Sequence, residues 1–168
     1  MKTKLLLIVF INFWIIQNCF SQLKDKTGLF IREYSYGKEV AYYKNGQRDG
    51  LYLFYNKVNG LLMYFGQYQN GKKVGTWYYF DEQGHLLFEE SQIQENKKYY
   101  LTRYDGKKLK PKYMSYVKNY YPNGYLESEG YVVYFKAILE DYYKVGEWKY
   151  YDSTGRLIKT EYYKDVKM

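Results

Sequence analysis

Two stretches decide how this chain folds. The first is Gly75-Thr76-Trp77-Tyr78-Tyr79-Phe80-Asp81-Glu82-Gln83-Gly84-His85-Leu86. The second is Gly146-Glu147-Trp148-Lys149-Tyr150-Tyr151-Asp152-Ser153-Thr154-Gly155-Arg156-Leu157. Each starts at a glycine, runs through an aromatic strand-like segment, and closes on Gly-x-Leu. Gly-x-Leu also appears at Gly60-Leu61-Leu62 and Gly124-Tyr125-Leu126, with looser copies beginning at Gly37 and Gly106. A second signature, Tyr-x-Asn-Gly-x-x-x-Gly, covers Tyr43 to Gly50 and Tyr68 to Gly75. Successive Gly-x-Leu glycines lie 18 to 31 residues apart, most in the low twenties. Such a period is the mark of an array of small supersecondary units.

The turn chemistry names the unit. Asn-Gly stands at Asn45-Gly46, Asn59-Gly60, Asn70-Gly71 and Asn123-Gly124, and Asp-Gly at Asp105-Gly106. Both dipeptides tolerate positive φ and are strong short-range hairpin signals. Between them lie aromatic and β-branched runs of strand length: Leu51 to Tyr55, Leu61 to Tyr68, Thr76 to Phe80, Leu86 to Ile93 and Glu147 to Tyr151. Pro111 and Pro122 fall beside turns, where a missing amide donor does little harm. The expected fold is all-β: repeated hairpins in one elongated, twisted antiparallel sheet of roughly ten or more strands. One stretch stays open. Phe135, Ile138, Leu139 and Tyr142 suit one helical face, but residues 134–143 read equally well as an irregular insertion.

Alternation within the strands separates two faces. Counted from the opening glycine, position +2 is Tyr52, Trp77 and Trp148, and position +4 is Phe54, Tyr79 and Tyr150. Even offsets share a strand face, so these six residues should form a structural aromatic ladder. The odd positions vary freely: Leu51 and Leu53, Thr76 and Tyr78, Glu147 and Lys149. That variable face is the expected contact surface, with Tyr64, Tyr78 and Lys149 as candidate partner-binding residues. The rings serve packing better than ligand stacking, because each repeat must bury something against its neighbours.

Composition sets the limits on function. The chain has 168 residues, 26 of them tyrosine, and a formal net charge of +8. Tyrosine suits a pleated surface that is apolar along the ring and wet at the hydroxyl. Met1 to Lys4 is basic, Leu5 to Ile16 is apolar apart from Asn12, and Gln17 to Gln22 is polar. This is the layout of a secretory signal peptide spanning 1–21, with cleavage before Gln22 and a hairpin-repeat domain over 22–168. The apolar run is shorter than the roughly 20 residues of a membrane-spanning helix. Lipidation at Cys19 is the second reading. Cys19 is the only cysteine, so the remaining chain has neither disulfides nor thiolate chemistry. The expected location is therefore periplasmic, cell-envelope or secreted.

No catalytic, cofactor or metal set stands out. His85, the only histidine, follows a turn glycine and reads as surface. Glu89, Glu90, Glu127 and Glu129 read as solvent-facing strand carboxylates. The glycines lack the strand–loop–helix context of a phosphate loop. The cluster Lys107, Lys108, Lys110 and Lys112 reads as solvated surface, and no nucleic-acid recognition fold is visible.

The two opening stretches, with the Asn-Gly turns, resemble the MORN (membrane occupation and recognition nexus) repeat variant of bacterial proteins, including the YwqK-type antitoxins. The likeness covers most of residues 34–163, with 94–120 degenerate and an insertion at 130–142. It implies consecutive hairpins in one sheet, and binding or scaffolding rather than catalysis. The functional expectation is an exported, non-enzymatic protein that binds a protein partner through one sheet face. The alternatives are an antitoxin or immunity protein whose partner is a toxin, and an envelope module that contacts glycan or anionic lipid.

Overall fold

The computed structural model describes residues 26–136, 139 and 141–164. The signal-peptide reading and Ile138 of the 134–143 stretch lie outside the described residues. Strands β1 (Gly28–Glu33), β2 (Gly37–Lys44), β3 (Gln47–Asn56), β4 (Leu62–Gln69), β5 (Lys72–Phe80) and β6 (Leu86–Glu95) come first. They are followed by β7 (Leu101–Thr102), β8 (Lys108–Leu109), β9 (Tyr113–Tyr120), β10 (Leu126–Tyr134), β11 (Tyr142–Tyr151) and β12 (Leu157–Tyr163). Ten of them form one antiparallel sheet in the order β1-β2-β3-β4-β5-β6-β9-β10-β11-β12, and β7 pairs with β8. The described residues contain no helix. Neighbours in the large sheet are consecutive in the chain except at β6 and β9, between which the β7–β8 hairpin is inserted.

The two-residue Asn-Gly turns and the Gly-x-Leu turns lie at opposite ends of the strands. Asn45-Gly46 and Asn70-Gly71 are two-residue connections with both residues at positive φ (50° and 76°; 50° and 74°). That backbone twist matches the flanking strands. The Gly-x-Leu connections are longer. Asp81 Oδ1 accepts the amides of Gln83 and His85, and Asp152 Oδ1 accepts those of Thr154 and Arg156. Adjacent turns are stitched together: Asn59 Nδ2 donates to the Glu82 carbonyl and Asn123 Nδ2 to that of Ser153, both at 3.0 Å. The asparagines of Asn59-Gly60 and Asn123-Gly124 thus hold one hairpin to the next.

A single-layer sheet must bury its large rings without a second layer. It does so by laying rings on glycines within the same hairpin. Trp77 lies over Gly66, Trp148 over Gly130 and Phe54 over Gly37. A Cβ added at these glycines would stand 2.3, 2.6 and 2.3 Å from the ring atoms. Trp77 and Trp148 are consequently fully buried. The degenerate stretch 94–120 contributes the β7–β8 hairpin. Its Leu101 packs with Val133 and Val145 and covers the variable face where β10 and β11 meet.

Candidate functional site: the two faces of the sheet

The register traces a row of residues across each face of the sheet. On the ladder face one row runs Arg32, Glu39, Phe54, Tyr64, Tyr79, Phe88, Asn119, Ser128, Tyr150 and Lys159. Its centre is a stack of rings: Phe54–Tyr64 at 5.0 Å, Tyr64–Tyr79 at 5.8 Å and Tyr79–Phe88 at 4.2 Å between centroids. Tyr52, Phe54 and Trp77 belong to one buried cluster with Tyr79 against it, and Trp148 with Tyr150 to another. The ladder is therefore two separate stacks. The polar pair Asn119–Ser128, hydrogen-bonded at 3.0 Å, falls between them.

Tyr64 was expected on the variable face. It stands on the ladder face, opposite both Phe54 and Tyr79. The turn after β3 is longer than a two-residue hairpin, which shifts the register and brings Tyr64 round to the ring side. Glu90 also departs from expectation. It is 1% exposed and pairs across from Trp77, whereas Glu89 faces the other way toward Lys118. Adjacent strand residues cannot share a face. Glu127 is exposed, and Glu129 accepts the Tyr151 hydroxyl at 2.7 Å. His85 is exposed and contacts Asp81 at 3.1 Å.

The ladder face contains two buried carboxylates that composition did not reveal. Glu39 accepts hydrogen bonds from the Tyr43 hydroxyl and from Arg48 Nη2, both at 2.6 Å. Burial opposes its ionisation, but those two bonds and the Arg48 and Arg32 charges prevail and hold the carboxyl below its ordinary value. Glu90 accepts the Tyr134 hydroxyl at 2.7 Å and that of Tyr79 at 3.2 Å, with Lys73 Nζ at 3.5 Å. Burial pushes Lys73 down and Tyr79 up, the second strengthened by the Glu90 charge.

Three cations of this face follow a rule. Arg48, Lys73 and Lys144 each stand two residues before a strand glycine. Each lies over the ring two residues after it: Tyr52 at 5.0 Å, Trp77 at 4.5 Å and Trp148 at 4.3 Å. Each of those strands carries two extra residues at a bulge there, with Gly50, Gly75 and Gly146 at φ 122°, 66° and 68°. A signal for this was present in the repeated Lys-Val-Gly-x-Trp of residues 73–77 and 144–148.

The variable face has its own row: Ile31, Val40, Leu53, Phe65, Tyr78, Glu89, Lys118, Glu129, Lys149 and Thr160. Its first half is apolar and aromatic, and most of its second half alternates in charge. Tyr78 stacks on Phe65 at 4.8 Å. Lys149 sits four strands from Tyr78 and lies 3.8 Å from Glu147. The two candidates share a face but fall in different halves of it. Among the described residues, no three His, Cys, Asp or Glu side chains come together as a metal site.

Comparison with family models, with curated proteins and with solved structures finds no match.

Proposed function

We propose that this protein is an exported, non-catalytic binding module that takes a protein partner on the variable face. The observation carrying this reading is the apolar half-row Ile31–Val40–Leu53–Phe65–Tyr78. It is flanked by Leu29, Tyr42 and Leu51, with Leu29 and Ile31 65% and 64% exposed. A contiguous apolar patch of this kind on a soluble protein marks an interaction surface. The neighbouring Glu89–Lys118–Glu129–Lys149 series supplies the charged rim that surrounds the apolar centre of protein interfaces. The likeness to the MORN-type repeat agrees with a binding role, and a toxin is one partner class such a face would take.

Energy concentrates at central aromatic anchors rather than at rim charges. Tyr78→Ala should therefore strongly reduce capture of the partner from native envelope extract, read by quantitative mass spectrometry. Lys149→Ala should reduce it less and make it more sensitive to salt. Tyr78→Ala removes one cross-strand ring contact, costing about 1 kcal/mol, so the fold should survive. Capture indifferent to both substitutions in folded protein would remove the variable face as the interface.

A further inference from the structure

The large sheet is split at one place. β5 and β6 pair only from Phe80↔Leu86 to Trp77↔Glu90. Beyond that point β5 continues with β4 as far as Gln69↔Lys72, and β6 continues with β9 as far as Glu95↔Tyr113. Residues 72–76 and 91–95 therefore form two jaws with no strand pairing between them. A bulge on β6 opens the split, with Gln92 at φ 52°, a backbone region that side chains other than glycine seldom adopt. The Tyr131 hydroxyl holds Gln92 there, donating to its Oε1 at 2.8 Å.

A groove of about 550 Å³ occupies this fork, within the range of ligand sites. Four cations line it, Arg48, Lys72, Lys73 and Lys112, against one lining carboxylate, Glu95. Glu39 and Glu90 lie beneath and are committed to Arg48 and Lys73. Among the described residues Lys72 and Lys112 have no carboxylate within ion-pair distance. Arg48 Nε is buried and has no hydrogen-bond partner. Tyr68, Tyr113 and Tyr134 complete the walls.

We propose that the fork binds an extended acidic peptide segment. Two features combine to favour it over a lone anion. The cations demand negative charge, and the unpaired strand edges on both jaws offer backbone groups that a strand-like ligand can pair with. Alternate residues of such a segment point to one side, so acidic residues at every second position would all meet the side on which Arg48 and Lys73 lie over the ladder rings. Its Arg48 and Lys73 lie on the face opposite Tyr78, Tyr78 does not line it, and it does not rest on the proposal above.

The test uses the purified chain and a fluorescein-labelled Glu-Val-Glu-Val-Glu peptide, read by fluorescence anisotropy. Saturable binding is expected, weakening as salt rises. Lys72→Glu combined with Lys112→Glu reverses two exposed, unpaired charges and should weaken binding by roughly tenfold or more. Tyr78→Ala should leave it unchanged. A Glu-Pro-Glu-Pro-Glu peptide keeps every carboxylate but lacks two backbone donors, and should bind more weakly. The proposal is overturned by any of three results: no saturable binding, binding indifferent to the charge reversal, or equal competition by the proline peptide or by inorganic phosphate. The last would make the fork a plain anion site.

Discussion

Trp77→Ala should lower stability by about 3–5 kcal/mol, the range for removing a fully buried large ring. For a domain of this size that is a fall in Tm of roughly 10 °C or more. Trp77 is wholly buried without a second layer above it, because it lies flat on Gly66. The geometry makes a sharper prediction for the glycine. In the parent chain Gly66→Ala should cost about 3 kcal/mol, since the new methyl would stand 2.3 Å from Trp77 Cδ2 and drive the ring off the strand. In the Trp77→Ala background the same change meets no ring. Alanine suits a strand interior better than glycine by about 0.5–1 kcal/mol, so there it should be neutral or stabilising. A thermal-melt double-mutant cycle measures the coupling. Strict additivity would show that ring and glycine do not act together, and a Trp77→Ala loss below about 1 kcal/mol would place the ring outside the core.

Glu39→Ala should be the next most damaging change. It strips the acceptor from the Tyr43 hydroxyl and from Arg48, both bonded at 2.6 Å. Breaking a buried ion pair by removing one partner costs about 3–5 kcal/mol. The lower end applies because the Arg48 side chain is 34% exposed and can turn to water. The effect has a pH signature. The Glu39 carboxyl is held below its ordinary value in the folded chain. Its contribution is therefore complete above the unfolded carboxylate pKa of about 4.3, and is lost as pH falls through the lower folded value. The Tm difference between the parent and Glu39→Gln should be full at neutral pH and shrink on acidification toward pH of about 3. A difference independent of pH would mean that Glu39 contributes through packing alone.

The hairpin array was legible because its signals are local. Asn45-Gly46 and Asn70-Gly71 need positive φ at adjacent residues, and few other dipeptides supply it. Gly84, Gly124 and Gly155 mark turns for the same reason. Once the turns were placed, a period of two assigned Tyr52, Phe54, Trp77, Tyr79, Trp148 and Tyr150 to one face. That inference used only residues a few positions apart on a single strand.

What the sequence determined by itself was thus the all-β meander and the identity of its ring-bearing face. Only the tertiary structure decided how strands line up across the sheet. The register shift at the long turn after β3 placed Tyr64 on the ladder face, and the bulges beside Gly50, Gly75 and Gly146 shift the pairing of their own hairpins. The partners of the buried carboxylates are equally nonlocal: Glu90 meets Tyr134, 44 residues away. So is the fork, which exists because β6 leaves β5 at Glu90 and follows β9 instead. Turn propensity resides in two or three residues of backbone, whereas register, buried charge and a split sheet depend on distant strands competing for the same hydrogen bonds.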